Sequence, residues 1–189
     1  CLVGSEMCIR DRYIAVSGTI LGFILGYVVG LIQDIRIRKE DNIAKVAVLK
    51  LIKAVCRIYV EIFRGTPMIV QAMIVYYGLR QSGVELSSVA AGVLVTVLNT
   101  GAYMAETVRA GINSIDTGQR EGALAMGMSP LKTMLFIVLP QAFRNILPEM
   151  ANTFLTNLKM TSVLNVIAVQ ELFMAAKTAG ANYYKYYEA

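Results

Sequence analysis

Few residues in this sequence have side chains that could do chemistry, and their types exclude most catalytic mechanisms. None of the 189 residues is a histidine, which excludes Ser-His-Asp and Cys-His catalysis, histidine-ligated metals and haem held by histidine. The three cysteines, Cys1, Cys8 and Cys56, fit neither a disulfide framework nor a zinc site. Cys56 is predicted to pack as a small apolar side chain. The sequence therefore predicts no catalytic residue and no metal site.

Polar side chains recur within apolar stretches, where they are candidates for the lining of a water-filled pathway through the protein. Lys159 lies in an apolar setting, where a charge is costly enough that a function is the default expectation. It is expected to meet a ligand carboxylate, to pair with an acid such as Glu149 or Glu171, or to extend toward an interface. Four further side chains are predicted either to line a pathway or to join neighbouring helices: Asn99, Tyr103, Thr161 and Ser162.

The polar stretch 114–140 contains the capping residues of a short helix. Asp116 and Gln119 have the spacing of a capping box, and Gly127 suits the left-handed residue that ends a helix. The pattern predicts a helix over 117–126, between two apolar segments that are expected to lie in a membrane. This helix is either a simple connection or a contact surface, and small side chains would let another surface approach it closely.

The elements that position these residues are expected to lie in a membrane. The chain is 56% hydrophobic and 16% charged, with a mean hydropathy of +0.56, whereas a globular domain carries about 25% charged residues. The net charge of +5 is then interpreted as an excess of Lys and Arg in cytoplasmic loops. We therefore expect a lipid bilayer, and no nucleic acid, as a partner.

About four membrane spans are predicted from the apolar segments. Residues 13–33 are uncharged and reach about 30 Å as a helix, with glycine at every fourth position from residue 18. Further spans are expected over 67–79, over 89–108 and beyond residue 131, where Pro140 interrupts the pattern. The predicted fold class is an all-α, polytopic transmembrane helical bundle.

The segment 34–57 follows the first span and is rich in basic residues. Its apolar positions have helical spacing, so that an amphipathic cytoplasmic helix is predicted. By the positive-inside rule, the first span ends in the cytoplasm and the N-terminus lies outside. The region 148–170 is so polar that it must face other protein or a wet pathway.

Residues 1–12 differ in character from the rest of the chain. They lack the apolar region and the small-residue cleavage site of a signal peptide. We expect them to be a disordered leader foreign to the fold, with the transmembrane domain over 13–189.

The polar stretch 114–140 also resembles a motif of a known protein family. It is similar to the EAA loop of ABC-importer permeases, with Gly122 in place of the usual second alanine. The positions that carry this pattern are Glu121-x-Ala123, Gly127 and Ile137-x-Leu139-Pro140. Further blocks look like the polar amino acid branch of the family, which takes up histidine, glutamate, glutamine, arginine and opines through a MetI-like transmembrane domain. These blocks are FRGTPMIVQ (63–71), NTGAYMAETVRAGI (99–112), GQREGA (118–123), LPQAFRNILP (139–148) and LKMTSVLNVI (158–167).

The resemblance implies the membrane half of an importer rather than an enzyme. A second permease subunit, identical or paralogous, would pair with this one, a cytoplasmic ATPase dimer would dock on the loops, and an extracytoplasmic binding protein would deliver a polar amino acid. The chain has no P-loop motif, so no cofactor is expected in it, and ATP and Mg²⁺ are expected in the ATPase. The ATPase-coupling residues are then Gly118, Gln119, Glu121, Gly122, Ala123, Gly127, Ile137, Leu139 and Pro140.

The same resemblance predicts a multi-pass protein of a prokaryotic cell membrane. Relatives continue past the position of Ala189 into a final span, so the chain is expected to be a C-terminally truncated domain in which a fifth span is missing. Two alternatives stay open from the residues alone: an ion-coupled secondary transporter, and a membrane assembly subunit that does not transport.

Overall fold

The computed structural model describes the backbone of residues 2–35, 43–167, 169, 177–178 and 180–182, with side chains from residue 9 onward except residue 11. The regular elements in these ranges are all helical, which confirms the predicted all-α fold. In chain order they are α1 (Leu2–Asp34), α2 (Ile43–Gly65), α3 (Met68–Gln81), α4 (Ser88–Asn113), α5 (Thr117–Ala125), α6 (Pro130–Thr133), a π-helical segment (Met134–Val138), α7 (Leu139–Met160) and a 3₁₀ helix (Thr161–Ile167).

The packing of α1 against α4 forms the centre of the bundle. A Cβ added at Gly26 would lie only 2.5 Å from the Cβ of Met104, so that no larger residue fits there without a shift. This confirms that the glycine pattern brings two helices into close contact. The glycines of α1 that contact α4 in this way are Gly18, Gly22, Gly26 and Gly30.

Two clusters of buried apolar side chains hold the later elements on this pair. The first joins the N-terminal half of α1 and α4 to the 3₁₀ helix, through Ile14, Val95, Leu164 and Ile167. The second joins the C-terminal half of α4 to the π-helical segment and α7, through Met104, Val108, Val138, Ala142 and Ile146. The chain after α4 therefore packs along most of the length of the α1–α4 pair.

Two of the described helices are long and apolar enough to cross a membrane: α1 from Arg12 to Asp34, and α4. Exposed apolar side chains on α1 suit contact with lipid, including Ile20, Ile24 and Val28. The spans predicted over 67–79 and 89–108 correspond to α3 and α4. With 14 residues, α3 is too short to cross alone, and the span predicted beyond residue 131 falls on α6, the π-helical segment and the start of α7.

The bounds predicted for the amphipathic helix over 34–57 are wrong, because Asp34 closes α1 and α2 continues past residue 57. Tertiary packing explains this extension. Cys56, as predicted, and Tyr59 pack against the apolar core between α1 and α4. The Tyr59 hydroxyl also donates a hydrogen bond to the Leu98 carbonyl at 2.7 Å. Such contacts override periodicity in setting where a helix ends.

The helical path from α6 through the π-helical segment into α7 is continuous, although the sequence predicts an interruption at Pro140. Proline cannot donate a backbone hydrogen bond and clashes with the preceding turn. A wider turn accommodates it, because the Leu139 N–H reaches back five residues to the Met134 carbonyl. The Gln141 side chain donates to the Ile137 carbonyl at 2.8 Å, which satisfies a group near the interruption.

The two ends of the chain leave some predictions open. The backbone of residues 2–12 continues α1 and is helical where a disordered leader is expected, and the boundary at residue 12 stays a prediction. Glu171 and most residues after Ile167 lie outside the described residues. The expected truncation after Ala189 therefore also stays a prediction.

Candidate functional site

The junction between α2 and α3 is held by the buried side chain of Gln71. Its Nε2 donates hydrogen bonds to the carbonyls of Phe63 and Thr66, each at 2.9 Å. Asn99 of α4 completes the network, because its Nδ2 donates to Gln71 Oε1 at 3.2 Å and to the Phe63 carbonyl at 3.3 Å. Pro67 has no N–H with which to continue α2, so these amides satisfy carbonyls that the helix end leaves unpaired.

A cavity of about 450 Å³ opens beside this junction, between the start of α3, the middle of α4 and α7. Its size suits a small-molecule ligand. Hydroxyl and amide groups dominate the polar part of the lining, and Glu149 is the charged residue among the lining side chains. The polar lining residues are Thr66, Asn99, Thr100, Tyr103, Glu149, Asn152, Thr153, Thr156 and Asn157.

The predicted pathway residues are only partly brought together. Asn99 and Tyr103 line the cavity. Lys159 is exposed at the last turn of α7 and lies outside the lining. Thr161 and Ser162 begin the 3₁₀ helix, and their hydroxyls donate to the backbone carbonyls of Leu158 (3.0 Å) and Lys159 (2.8 Å).

Several lining residues of α7 are not among the predicted site residues. Glu149, Asn152 and Thr156 recur at helical spacing and all line the cavity. The signal for them is present in the sequence, because region 148–170 is too polar to face lipid. Periodicity identifies such a polar face but does not distinguish a cavity from a contact with another helix.

Asn157 has both roles, since it lines the cavity and also joins three helices inside the protein. Its Nδ2 donates to the hydroxyl of Thr19 in α1 at 2.8 Å and to the hydroxyl of Thr100 in α4 at 2.9 Å. All three side chains are buried. This amide therefore fixes α7 on the α1–α4 pair, beside the floor of the cavity.

A basic groove of about 740 Å³ lies between α2 and α4, next to the cavity. The two meet where the Arg64 guanidinium lies 5.6 Å from the centroid of the Tyr103 ring, because Arg64 lines the groove and Tyr103 lines the cavity. One turn along α4, Arg109 Nε donates to Glu106 Oε2 at 3.2 Å. The charged lining residues are Lys50, Lys53, Arg57, Glu61, Arg64, Glu106 and Arg109.

The helix predicted over 117–126 is confirmed as α5, which ends one residue earlier at Ala125; its cytoplasmic location stays a prediction. The Asp116 carboxylate caps it by accepting the Gly118 N–H at 2.6 Å. In the predicted capping box the donor to Asp116 would be the N–H of Gln119, one position later. A helix of 9 residues is too short to be stable alone, so its caps matter.

The C-terminal end of α5 has the predicted left-handed glycine. Gly127 has a φ of +85°, and its N–H donates to the Leu124 carbonyl at 3.0 Å. The Met128 N–H donates to the Ala123 carbonyl at 3.1 Å. These two bonds form a Schellman motif, which ends a helix sharply and favours glycine at the left-handed position.

One side of α5 contacts the rest of the protein and the other is open. Ala123 is buried, with 3% of its surface exposed, and α5 contacts both α6 and the π-helical segment. On the open side, Met126 is 79% exposed. The other predicted coupling residues divide into exposed ones, namely Gly118, Gln119, Glu121, Gly122, Gly127 and Pro140, and half-buried ones, namely Ile137 and Leu139.

Comparison with known proteins identifies the family. The family described as "Binding-protein-dependent transport system inner membrane component" matches residues 43–183. The arginine transport system permease protein ArtQ of Bacillus subtilis is 39% identical, over 78% of this chain and 68% of that protein. The L-cystine transport system permease protein TcyB of Bacillus subtilis is 37% identical, over 89% and 69%. A putative glutamine transport system permease protein, GlnP of Rickettsia felis, is 34% identical, over 77% and 67%.

Solved structures agree with this match. A crystal structure of an amino acid ABC transporter is similar, with a TM-score of 0.86 at 32% identity, over 98% of this chain and 81% of that one. The MetNI methionine ABC transporter in an inward-facing conformation shares the fold, with a TM-score of 0.74 at 19% identity, over 95% and 81%. The helical membrane bundle and the family expected from the EAA loop are thus confirmed. The chain belongs to the binding-protein-dependent transport system inner membrane components, the permease subunits of ABC importers.

Proposed function

We propose that this permease imports a polar amino acid and that the loop over 116–140 couples import to ATP hydrolysis. The observation that carries the coupling proposal is α5, a short helix capped at both ends and open on one side. The substrate class is supported by the relatives, whose names state arginine, L-cystine and glutamine transport.

The proposed mechanism is mechanical. An ATPase dimer binds ATP and Mg²⁺ and closes, and α5, seated in a cleft of the ATPase, moves with it. Short connections join α5 to α4 and α6. Its displacement therefore passes into α4, and through α6 and the π-helical segment into α7, and both α4 and α7 line the cavity. Packed helices respond by rigid shifts between two arrangements, which would open the cavity alternately to the two sides. The proposed coupling residues are those of the EAA-like loop from Gly118 to Pro140.

The cavity between α3, α4 and α7 is the proposed part of the translocation pathway within one subunit. Asn99 and Tyr103 offer an amide and a phenol to a polar solute there. Lys159, Thr161 and Ser162 flank Met160, which also lines the cavity. We propose that they face the solute in the assembled transporter, where a second permease subunit would complete the pathway.

The partners follow from this mechanism. They are an ATPase dimer on the cytoplasmic loops, a second permease subunit and an extracytoplasmic amino-acid-binding protein, all at the cell membrane of a prokaryote. The family's inner-membrane description supports the location, and the short α5 supports the ATPase contact.

Reconstituted transport tests the proposal. The permease, its ATPase and its binding protein are placed in proteoliposomes, and uptake of labelled arginine, glutamine and cystine is measured with ATP inside or outside and with a proton ionophore. The proposal predicts uptake of at least one of them that needs ATP on the cytoplasmic side and survives the ionophore. Uptake driven by an ion gradient without ATP would favour a secondary transporter, and an absence of uptake with correct assembly would favour an assembly subunit.

A further inference from the structure

Three helices meet at the cytoplasmic end of α1. Arg120 of α5 approaches Asp34, the last residue of α1, with Nη2 lying 3.7 Å from Oδ2. Only 21% of the Arg120 side chain and 12% of the Asp34 side chain are exposed. Lys53 of α2 donates to the carbonyls of Gln33, at 2.9 Å, and Ile35. The end of α1 is therefore held by cations from both α2 and α5.

The position of Asp34 calls for a tertiary explanation. A carboxylate at the C-terminal end of a helix lies at the negative end of the helix dipole, where it is unfavourable by about 0.3–1 kcal/mol. In addition, Asp34 Oδ2 is buried and accepts no hydrogen bond from the described residues. The Arg120 guanidinium supplies the compensating charge across the gap between the two helices.

α5 needs such a contact if it is to transmit force. A short connection joins α5 at each end to a neighbouring helix. A helix held only at its two ends could rotate about its own axis without moving those neighbours. Arg120 lies within α5 and anchors it to a separate element. Since Gly26 of α1 lies against Met104 of α4 without room for a side chain, α1 and α4 move as one body. A pull on Asp34 therefore reaches the helix that lines the cavity.

We propose that the Asp34–Arg120 pair is a coupling contact, in which Asp34 positions Arg120 and ties α5 to the α1–α4 pair. This inference rests on the proposed ATP-coupled import. It adds the end of the first membrane helix, outside the EAA-like loop, to the parts that transmit the ATPase movement.

Two single variants and one exchanged pair test the contact in the assembled transporter. Asp34→Asn removes the charge and keeps the shape, and Arg120→Gln replaces the guanidinium with a shorter neutral amide. The double variant Asp34→Arg/Arg120→Asp reverses the pair and suits both helix dipoles, because it places a cation at the end of α1 and a carboxylate in the first half of α5. Arg80→Gln, at an exposed position at the end of α3, is the matched control for loss of a positive charge.

Uptake per ATP hydrolysed is the first measurement. Each single variant should assemble and hydrolyse ATP, with uptake per ATP lower by about tenfold, a size typical of coupling between sites. The exchanged pair should recover most of that loss, and Arg80→Gln should match the wild type. Unchanged uptake per ATP in both single variants would overturn the proposal, as would an exchanged pair no better than the single variants.

Hydrogen exchange separates this inference from the proposed function. In the wild-type permease alone, the amides of α5 should exchange slowly, and Asp34→Asn should speed their exchange about tenfold while leaving α4 unchanged. Equal exchange in the two proteins would overturn the tie even if the transporter imports amino acids. A failure of ATP-driven uptake in the wild type would instead count against the proposed function, and the exchange result would still decide whether Asp34 holds α5.

Discussion

Gly26 of α1 and Met104 of α4 lie so close that a Cβ on the glycine would stand 2.5 Å from the Cβ of the methionine. The same added Cβ would stand 2.6 Å from the Gly101 carbonyl oxygen, so a rotamer change alone cannot relieve the clash. The first membrane helix is therefore seated directly on the backbone of α4. This contact makes the two helices one rigid unit, on which α7 packs and to which the loop over 114–140 is attached.

Substituting Gly26 by alanine should destabilise the bundle, because the two backbones must separate. The expected loss in the free energy of unfolding is about 1–3 kcal/mol, the usual cost of overpacking. Unfolding of the purified permease in detergent measures it. Gly78→Ala is the matched control, since Gly78 lies in helix α3 with open space around it and should gain up to about 1 kcal/mol from helix propensity. Equal stability of the two variants would contradict the close-packing account.

Asn157→Ala should loosen α7 from the α1–α4 pair. It removes the hydrogen bonds to the Thr19 and Thr100 hydroxyls, each worth about 0.6 kcal/mol within a membrane protein, and leaves a small void that adds to the loss. The unfolding free energy should fall by about 1–3 kcal/mol. Asn152→Ala, at an exposed position of α7, should leave stability nearly unchanged, and a similar loss there would argue against a specific role for Asn157.

Gln71 and Asn99 should act as one unit at the junction of α2 and α3. Gln71→Ala leaves the Thr66 carbonyl without its side-chain donor and the Phe63 carbonyl with only the longer bond from Asn99, a loss of about 1–3 kcal/mol for partly buried polar groups. In the double variant with Asn99→Ala, the losses should fall short of their sum by at least about 0.5 kcal/mol, as for residues in one network. A double-mutant cycle on unfolding measures this, and strict additivity would show that the two amides act separately.

The elements with local signals were predictable from the sequence. Asp116 and Gly127 define α5 because a capping side chain and a left-handed glycine act within a few residues of chain. The glycines of α1 likewise predict a close helix contact, since every fourth residue lies on one face. The partner helix does not follow from this pattern, because many helices could accept such a face.

The elements set by tertiary contacts were not predictable in the same way. α2 extends beyond residue 57 because Tyr59 packs against an apolar cluster and donates a hydrogen bond to a backbone carbonyl of α4. The residues of α1 and α4 that it contacts are distant in sequence. The helical path continues past Pro140 because the wider π-helical turn before it accommodates a residue that has no backbone N–H. The cavity lining includes Glu149 but not Lys159, since the rotation of α7 about its axis is fixed by the Asn157 hydrogen bonds to distant residues.

Two glycines provide a matched test of the proposed coupling of ATP hydrolysis to import through α5. Gly127 at the end of α5 and Gly83 between α3 and α4 have φ values of +85° and +82°. Each donates its N–H to a helix carbonyl, that of Leu124 or Arg80. Proline at either position forces φ to about −65° and removes the donor, so the local damage is alike. The topology predicted by the positive-inside rule would place the two turns on opposite sides of the membrane.

The deciding measurement is uptake per ATP hydrolysed in proteoliposomes that hold the complete transporter. Gly127→Pro should assemble and hydrolyse ATP, with uptake per ATP lower by about tenfold or more, whereas Gly83→Pro should keep the wild-type ratio. Wild-type uptake per ATP in Gly127→Pro, or an equal loss in both variants, would contradict the claim that α5 transmits the movement of the ATPase.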